Sequence, residues 1–324
     1  MRRAWSLALV ATVAGSLAIG LAAGAVPLTL ADVWRGLLGV DPSAATIVRE
    51  LRAPRVLLAF LVGGSLAVCG AALQAMIRNP LAEPYLLGLS GGAGLGAVLA
   101  LASGSGGPWS VPVAAFLGAL AAIALVYRLT LVAGRRLDPR VLLLAGVVVG
   151  AFAGALMSAI IVLADTATVR NAFLWLLGGF GAASWQALEV FAVYAALPLG
   201  VLVWSARDLD LLALGEEPAH HLGAEVDRTR RLVYGCTALL TAASVATCGI
   251  IGFVGLVVPH AVRTVARPLH RALLPLAFLV GGSFLVLSDV VARTVVRPLE
   301  LPVGVITALV GVPVFALLLR RTLT

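Results

Sequence analysis

Ten charged residues crowd the stretch from Arg207 to Arg231, RDLDLLALGEEPAHHLGAEVDRTRR: four Arg and six Asp or Glu. Long apolar runs flank it on both sides. These side chains could bind a partner, but their spacing assembles no reaction centre. His220 and His221 are adjacent, and adjacent residues on a helix point apart, so they make no metal pair. His260 and His270 form no H-E-x-x-H. Cys69, Cys236 and Cys248 lie in or beside apolar runs without C-x-x-C or Cys/His spacing, which reads as small buried hydrophobes. All 23 basic residues are Arg. With no Lys there is no G-x-x-x-x-G-K-[ST] phosphate loop, so the chain does not hydrolyse ATP by that route. Gly92-Ala93-Gly94-Leu95-Gly96-Ala97 matches G-x-G-x-x-A, but no soluble strand precedes it. There the glycines serve close helix approach. Asp165 and Asp289 fall near the expected ends of apolar runs. A proton- or sodium-driven carrier, or an intramembrane enzyme, needs ionisable groups deep in the membrane. Their scarcity argues against both, and the chain is expected to be no enzyme. What remains is a solvated loop or a grip for a soluble partner. LDLLALGEEPAHHLG reads as two short helical pieces broken at Gly215 and Pro218, with Leu209, Leu212 and Leu222 as an apolar side.

The elements that position this segment are membrane spans. The chain is 61% hydrophobic and 12% charged, with a mean hydropathy of +1.07. A soluble domain could not hide that much apolar surface. A span needs about 20 apolar residues. That test marks about ten candidates, near Trp5–Val26, Val56–Met76, Leu86–Leu101, Val111–Ala133, Val141–Ala164, Ala187–Ser205, Leu232–Thr247, Ile250–Ala266, Leu273–Val291 and Leu301–Leu319. The third, seventh and eighth are short, and short interrupted segments line cavities, where other helices satisfy irregular backbone. Phe173–Gly181 is too short to span. MRR before the first apolar run resembles the start of a signal peptide, but the run is longer than such a segment usually has, so a retained first span is expected.

With ten spans and Arg2-Arg3 on the cytoplasmic side, both termini are expected inside. Seven Arg then fall outside (Arg35, Arg49, Arg52, Arg55, Arg170, Arg293 and Arg297), leaving sixteen of the 23 inside. This is the positive-inside bias, and it supports the orientation. The formal net charge of +8 therefore follows from topology. It calls for no nucleic acid, and anionic lipid headgroups suffice as partners of the inner arginines. The octapeptide LAFLVGGS occurs twice, at Leu58–Ser65 and Leu276–Ser283, in spans expected to run in opposite directions. It reads as a shared need for small residues or as coincidence, and carries no functional weight.

Several long runs resemble one family. LRAPRVLLAFLVGGSLAVCGAALQAMIRNPLAEPYLLGLSGGAGLGA (51–97), WLLGGFGAASW (175–185), GIIGFVGLVVPHAVR (249–263) and LSDVVARTVVRPLELPVGVITALVGVPVFALLLRR (287–321) are similar to the permeases of iron-chelate and cobalamin ABC importers. Tyr85 departs from the Gly that many members carry there.

The resemblance implies an all-α, polytopic type II ABC importer permease over residues 1–324, with ten helices and a cytoplasmic coupling segment at about 207–231. It implies a bacterial cytoplasmic-membrane location. It implies a second permease subunit forming a homodimer, two ABC ATPase subunits that bind the ATP and Mg, and a substrate-binding protein on the outer face. No cofactor or metal is expected on this chain. Gly215, Glu216, Glu217, Ala219, Leu222 and Gly223 match the family's ATPase contact. Arg52, Arg55 and Arg293 match outer positions that meet acidic side chains on the binding protein. The cargo would be a ferric siderophore, haem or cobalamin; WLLGGFG leans to cobalamin. The pathway lining is expected from the second span, the fifth span and the region after it, up to about Gly181. The alternatives are an ion-gradient-driven secondary transporter for a small organic substrate and a membrane scaffold or channel subunit.

Overall fold

The computed structural model describes the backbone of residues 2–104, 107–134, 137–266 and 269–323, and the side chains of 7–104, 107–133, 137–266 and 269–317. Arg2, Arg3, Arg135, Arg136, Arg267, Arg320 and Arg321, counted above on the inner side, lie outside the described side chains. Every regular element among the described residues is helical. The order is α1 (Arg2–Ala22), α2 (Leu30–Leu38), α3 (Pro42–Ala45), a π-helical stretch Thr46–Arg52, and α4 (Ala53–Ile77). A 3-10 turn, Pro84–Leu87, leads into α5 (Leu89–Ala102), α6 (Ser110–Gly134), α7 (Pro139–Leu163), α8 (Thr166–Leu176) and α9 (Trp185–Trp204). Then come α10 (Ala206–Leu214), α11 (Glu216–His221), α12 (Val226–Cys248), α13 (Val254–Ala266), α14 (His270–Ala292) and α15 (Val303–Leu323).

Among the described residues, six helical stretches are long and apolar enough to cross a membrane: Pro42–Ile77, Ser110–Ala133, Pro139–Leu163, Trp185–Trp204, Val226–Cys248 and His270–Ala292. Four shorter apolar helices, Leu7–Ala22, Leu89–Ala102, Val254–Ala266 and Val303–Leu317, make up the ten candidate segments. The expected count of ten spans is therefore met by length at six. The seventh candidate is longer than expected. Its helix begins at Val226, inside the charged stretch, because charge marks the edge of the apolar zone and not the start of a helix. The third and eighth are short for a structural reason. At about 1.5 Å per residue, the 13 residues of α13 rise only about 20 Å, against ~30 Å of hydrocarbon. Irregular backbone makes up the rest.

At the centre stands α4, most of whose residues are buried. It packs against α9, α12, α13 and α14. The two LAFLVGGS copies meet each other here. A Cβ at Gly281 would stand 2.6 Å from the Gly63 carbonyl oxygen, and a Cβ at Gly63 would overlap the Gly281 oxygen. Gly64 faces the Phe278 ring, Gly282 faces the Phe60 ring, and the two rings pack edge to face at 5.9 Å. Each contact has its mirror in the other copy, so the octapeptide forms a locally two-fold, antiparallel helix interface. Glycine permits it because the backbones touch where a side chain would stand. The G-x-G-x-x-A run likewise packs helix on helix, with Gly92 of α5 against the Gly118 backbone of α6.

Candidate coupling and docking sites

The first part of the charged stretch, up to His221, folds as two short helices with one break. Gly215 provides it, at φ +124 and ψ 167. Pro218 is not a break: it sits in the first turn of α11, where its missing N–H has no helical partner to lose. The expected apolar side is divided. Leu209 and Leu212 are buried under α10, whereas Leu222 and Leu214 are exposed. Ala219 is fully buried. Gly223 follows α11 at φ +85 with open space around it. Inward residues thus anchor the segment, while Glu216, Glu217, Leu222 and Gly223 face outward.

Side chains tie the segment to the body. Arg230 Nη2 donates to Glu216 Oε1 at 2.5 Å, and this hydrogen bond with the nearby charge holds the Glu216 carboxyl below its ordinary value. Thr229 Oγ1 donates to Asp208 at 3.4 Å. A third tie runs to α14: Asp210 Oδ1 accepts from the His270 backbone N–H at 3.0 Å and contacts His270 Nδ1 at 2.6 Å. Two surface grooves open beside α11. One, of about 550 Å³, is walled by Glu216, Glu217, His220 and Arg231. The other, of about 440 Å³, is walled by Arg78, Arg140, Asp138 and Glu216. Their mixed charge suits a protein surface better than a small ligand.

At the opposite end the three sequence-selected arginines converge, but they turn inward. Arg52 is buried and donates to the carbonyls of Leu21 and Ala22 at 2.7 Å and to that of Val26, closing the end of α1. Arg293 is also buried. Its Nη2 donates to Gly20 O at 2.7 Å, and its Nε lies 3.1 Å from Asp289 Oδ2 as an ion contact, poorly aligned for a hydrogen bond. Arg55 bridges two carboxylates. Its Nη2 donates to buried Asp289 at 2.8 Å, and its Nη1 donates to Glu300 at 2.9 Å. The Glu300 side chain is 46% exposed, against 14% for Arg55. Of the three, Arg55 alone therefore faces an exchangeable carboxylate. The partners Asp289 and Glu300 were not singled out as sites from sequence.

Between the ends, three irregular segments interlock. Gly179 N–H donates to Cys248 O at 2.8 Å, Val303 N–H to Gly178 O at 3.0 Å, and Gly304 N–H to Leu177 O at 3.1 Å. The extended run after α12 is satisfied by side chains from the α4–α5 connection. Glu83 accepts from Phe253 N–H at 2.5 Å, and the Tyr85 hydroxyl accepts from Ile251 N–H at 3.2 Å. That contact gives Tyr85 a structural role. Gln74 donates to Gly255 O at 3.2 Å and accepts from Arg263, fixing the start of α13 to α4. The three cysteines are buried and free. Among the described residues, no group of three or more His, Cys, Asp or Glu side chains could hold a metal.

The comparisons with known proteins agree with this arrangement from end to end. The model of the FecCD transport family matches residues 10–321. The cobalamin import system permease protein BtuC of Halobacterium salinarum is 43% identical over 306 residues, which is 94% of this chain and 82% of that protein. The vitamin B12 import system permease protein BtuC of Shigella boydii is 39% identical over 322 residues, 98% of this chain and 95% of that protein. Among solved structures, an inward-facing conformation of a protein described as a "putative metal-chelate type ABC transporter" superposes with a TM-score of 0.87 at 31% identity, over 97% of this chain and 98% of that one.

Proposed function

The chain belongs to the FecCD transport family, and on that premise we propose that it is the membrane permease of an ATP-driven cobalamin importer. The observation that carries the cargo is the 43% identity to a cobalamin permease along 94% of the chain, against 31% to the metal-chelate type neighbour. Two copies would enclose the pathway in the cytoplasmic membrane, each crossing it ten times with both termini inside. The short helices α5 and α13 would cross together with their irregular lead-ins, and Glu83 and Tyr85 of the first lead-in satisfy N–H groups of the second.

Two ABC ATPase subunits would bring the ATP and Mg and dock on the outward side of α11, at Glu216, Glu217, Leu222 and Gly223, while buried Gly215 and Ala219 hold that side in place. Exposed Leu222 beside two carboxylates offers them an apolar contact with a charged rim. A substrate-binding protein would dock at the other end. There Arg55 reaches outward through Glu300, while Arg52 and Arg293 support docking by holding α1 and α14 in place. An acidic partner would meet a permanently charged, forked donor. The wall formed by α4, α7, α8 and the residues up to Gly181 would pass the cargo without ligating it, leaving selection to the binding protein.

The test is to purify the binding protein encoded beside this chain and titrate it with candidate cargos. Tight binding of cobalamin supports the reading. Tight binding of a ferric siderophore or haem, with none of cobalamin, would overturn the cargo. Uptake that follows an ion gradient and needs no ATPase would overturn the class.

A further inference from the structure

We propose that Asp210 is a positioning residue that ties the coupling segment to α14, making α14 the element that relays motion between the two ends of the chain. The proposal rests on the reading of α10–α11 as the ATPase-facing segment and deepens it.

The start of α14 shows the tie. Leu269, its N-cap, offers no side-chain acceptor. Asp210, sixty residues away on α10, takes that place, with one carboxylate oxygen on both the His270 backbone N–H and the ring nitrogen Nδ1. A carboxylate only accepts, so Nδ1 carries the proton. A negative charge at a helix N-terminus is also favoured by the helix dipole. His270 is buried and its Nε2 has no hydrogen-bond partner, so this link is its one polar hold. The contact is short and directional, and a displaced α10 would move the end of α14 with it.

From there one helix reaches the far side. It is 23 residues long, or roughly 34 Å at the usual rise. Pro275 removes one hydrogen bond near its start. Beyond that, the Gly63/Gly281 and Phe60/Phe278 contacts clamp it to α4. At its last turn it carries Asp289, which holds Arg55 and Arg293. The other two ties of the segment, Asp208–Thr229 and Glu216–Arg230, lead to α12. Helix α12 ends in the interlocked irregular segments and does not reach Arg55. Asp210 therefore joins the ATPase-facing segment to the helix that supports the outer arginines.

The experiment uses the complete complex of permease, ATPase subunits and binding protein in proteoliposomes. It compares wild type, Asp210→Ala, Asp210→Asn and, as a control on the α12 side, Asp208→Ala. The readouts are ATPase retained on purification, basal hydrolysis, stimulation by loaded binding protein, and cobalamin moved per ATP. Asp210→Ala should retain the ATPase and its basal rate but lose about tenfold in stimulation and in cargo per ATP, a usual size for coupling between sites. Asp210→Asn keeps an acceptor oxygen and should recover part of that loss. Asp208→Ala should match wild type. Full stimulation in Asp210→Ala would overturn the proposal. So would failure of that variant to retain the ATPase, because the residue would then serve assembly and not relay. Wild-type complexes that import nothing would overturn the proposed function itself, and they are scored before any variant.

Discussion

Replacing Arg55 with Gln should separate the two carboxylates it now bridges. Asp289 is almost fully buried, with 2% of its side chain exposed. Removing one partner of a buried ion pair costs about 3–5 kcal/mol, because the remaining charge stays buried. Asp289 keeps the Arg293 contact at 3.1 Å, so the expected loss for Arg55→Gln is smaller, about 2–3 kcal/mol. Glu300 is nearly half exposed, and an ion pair of that kind contributes only about 0–1 kcal/mol. Glu300→Gln should therefore unfold close to wild type. The assay is reversible unfolding of the purified permease in mixed micelles, with the two single variants and the Arg55→Gln/Asp289→Asn double variant. The double variant should lose more than Arg55→Gln alone, since Asp289→Asn also strips buried Arg293 of its carboxylate. Binding-protein affinity is measured alongside across salt concentrations. Arg55→Gln should weaken it and flatten its salt dependence. Equal stability losses for Arg55→Gln and Glu300→Gln would refute the assignment of Asp289 as the buried partner. Unchanged affinity at every salt concentration would refute docking through Arg55.

Gly223→Leu meets open space at φ +85, so it should cost only the left-handed strain, about 1–2 kcal/mol. The variant should insert normally yet lose binding-protein-stimulated ATP hydrolysis; normal stimulation would contradict the coupling role. Gly281→Ala forces a methyl 2.6 Å from Gly63 O and should destabilise by about 1–3 kcal/mol. An unfolding midpoint equal to wild type would contradict the α4–α14 interface. Tyr85→Phe strips the acceptor from the Ile251 N–H and should cost about 1–3 kcal/mol. Hydrogen exchange should speed up at residues 249–253, and unchanged exchange there would contradict the Tyr85 contact.

Apolar length made most of the helices legible in the sequence, and an isolated block of charge marked the place of α10 and α11. Where length misled, the cause was backbone that is not helical. The candidate near Leu86–Leu101 begins in a 3-10 turn, and that near Ile250–Ala266 begins in an extended run. The extended run depends on Glu83 and Tyr85, which belong to the α4–α5 connection far away in the chain. Arg52, Arg55 and Arg293 do lie at one end, but their inward partners are invisible in the sequence. Arg55 meets Asp289 across 234 positions and Arg293 meets Gly20 across 273, and no local pattern encodes such a pairing. The repeated octapeptide reads from sequence as a shared need for small residues or as coincidence, and the α4–α14 interface favours the first, since opposite direction is what a two-fold helix pair requires. Asp210 was seen only as one charge among ten. Its importance depends on where α14 begins in space.

The central claim is tested most directly by transport. The permease is reconstituted in liposomes with its ATPase subunits inside and its loaded binding protein outside. The cobalamin carries separate labels on cobalt and on the corrin ring. The account predicts uptake that requires ATP and the binding protein, with both labels entering at a constant ratio, since the wall offers no metal ligands to strip the cargo. Uptake without ATP hydrolysis, or entry of cobalt while the corrin stays outside, would contradict it.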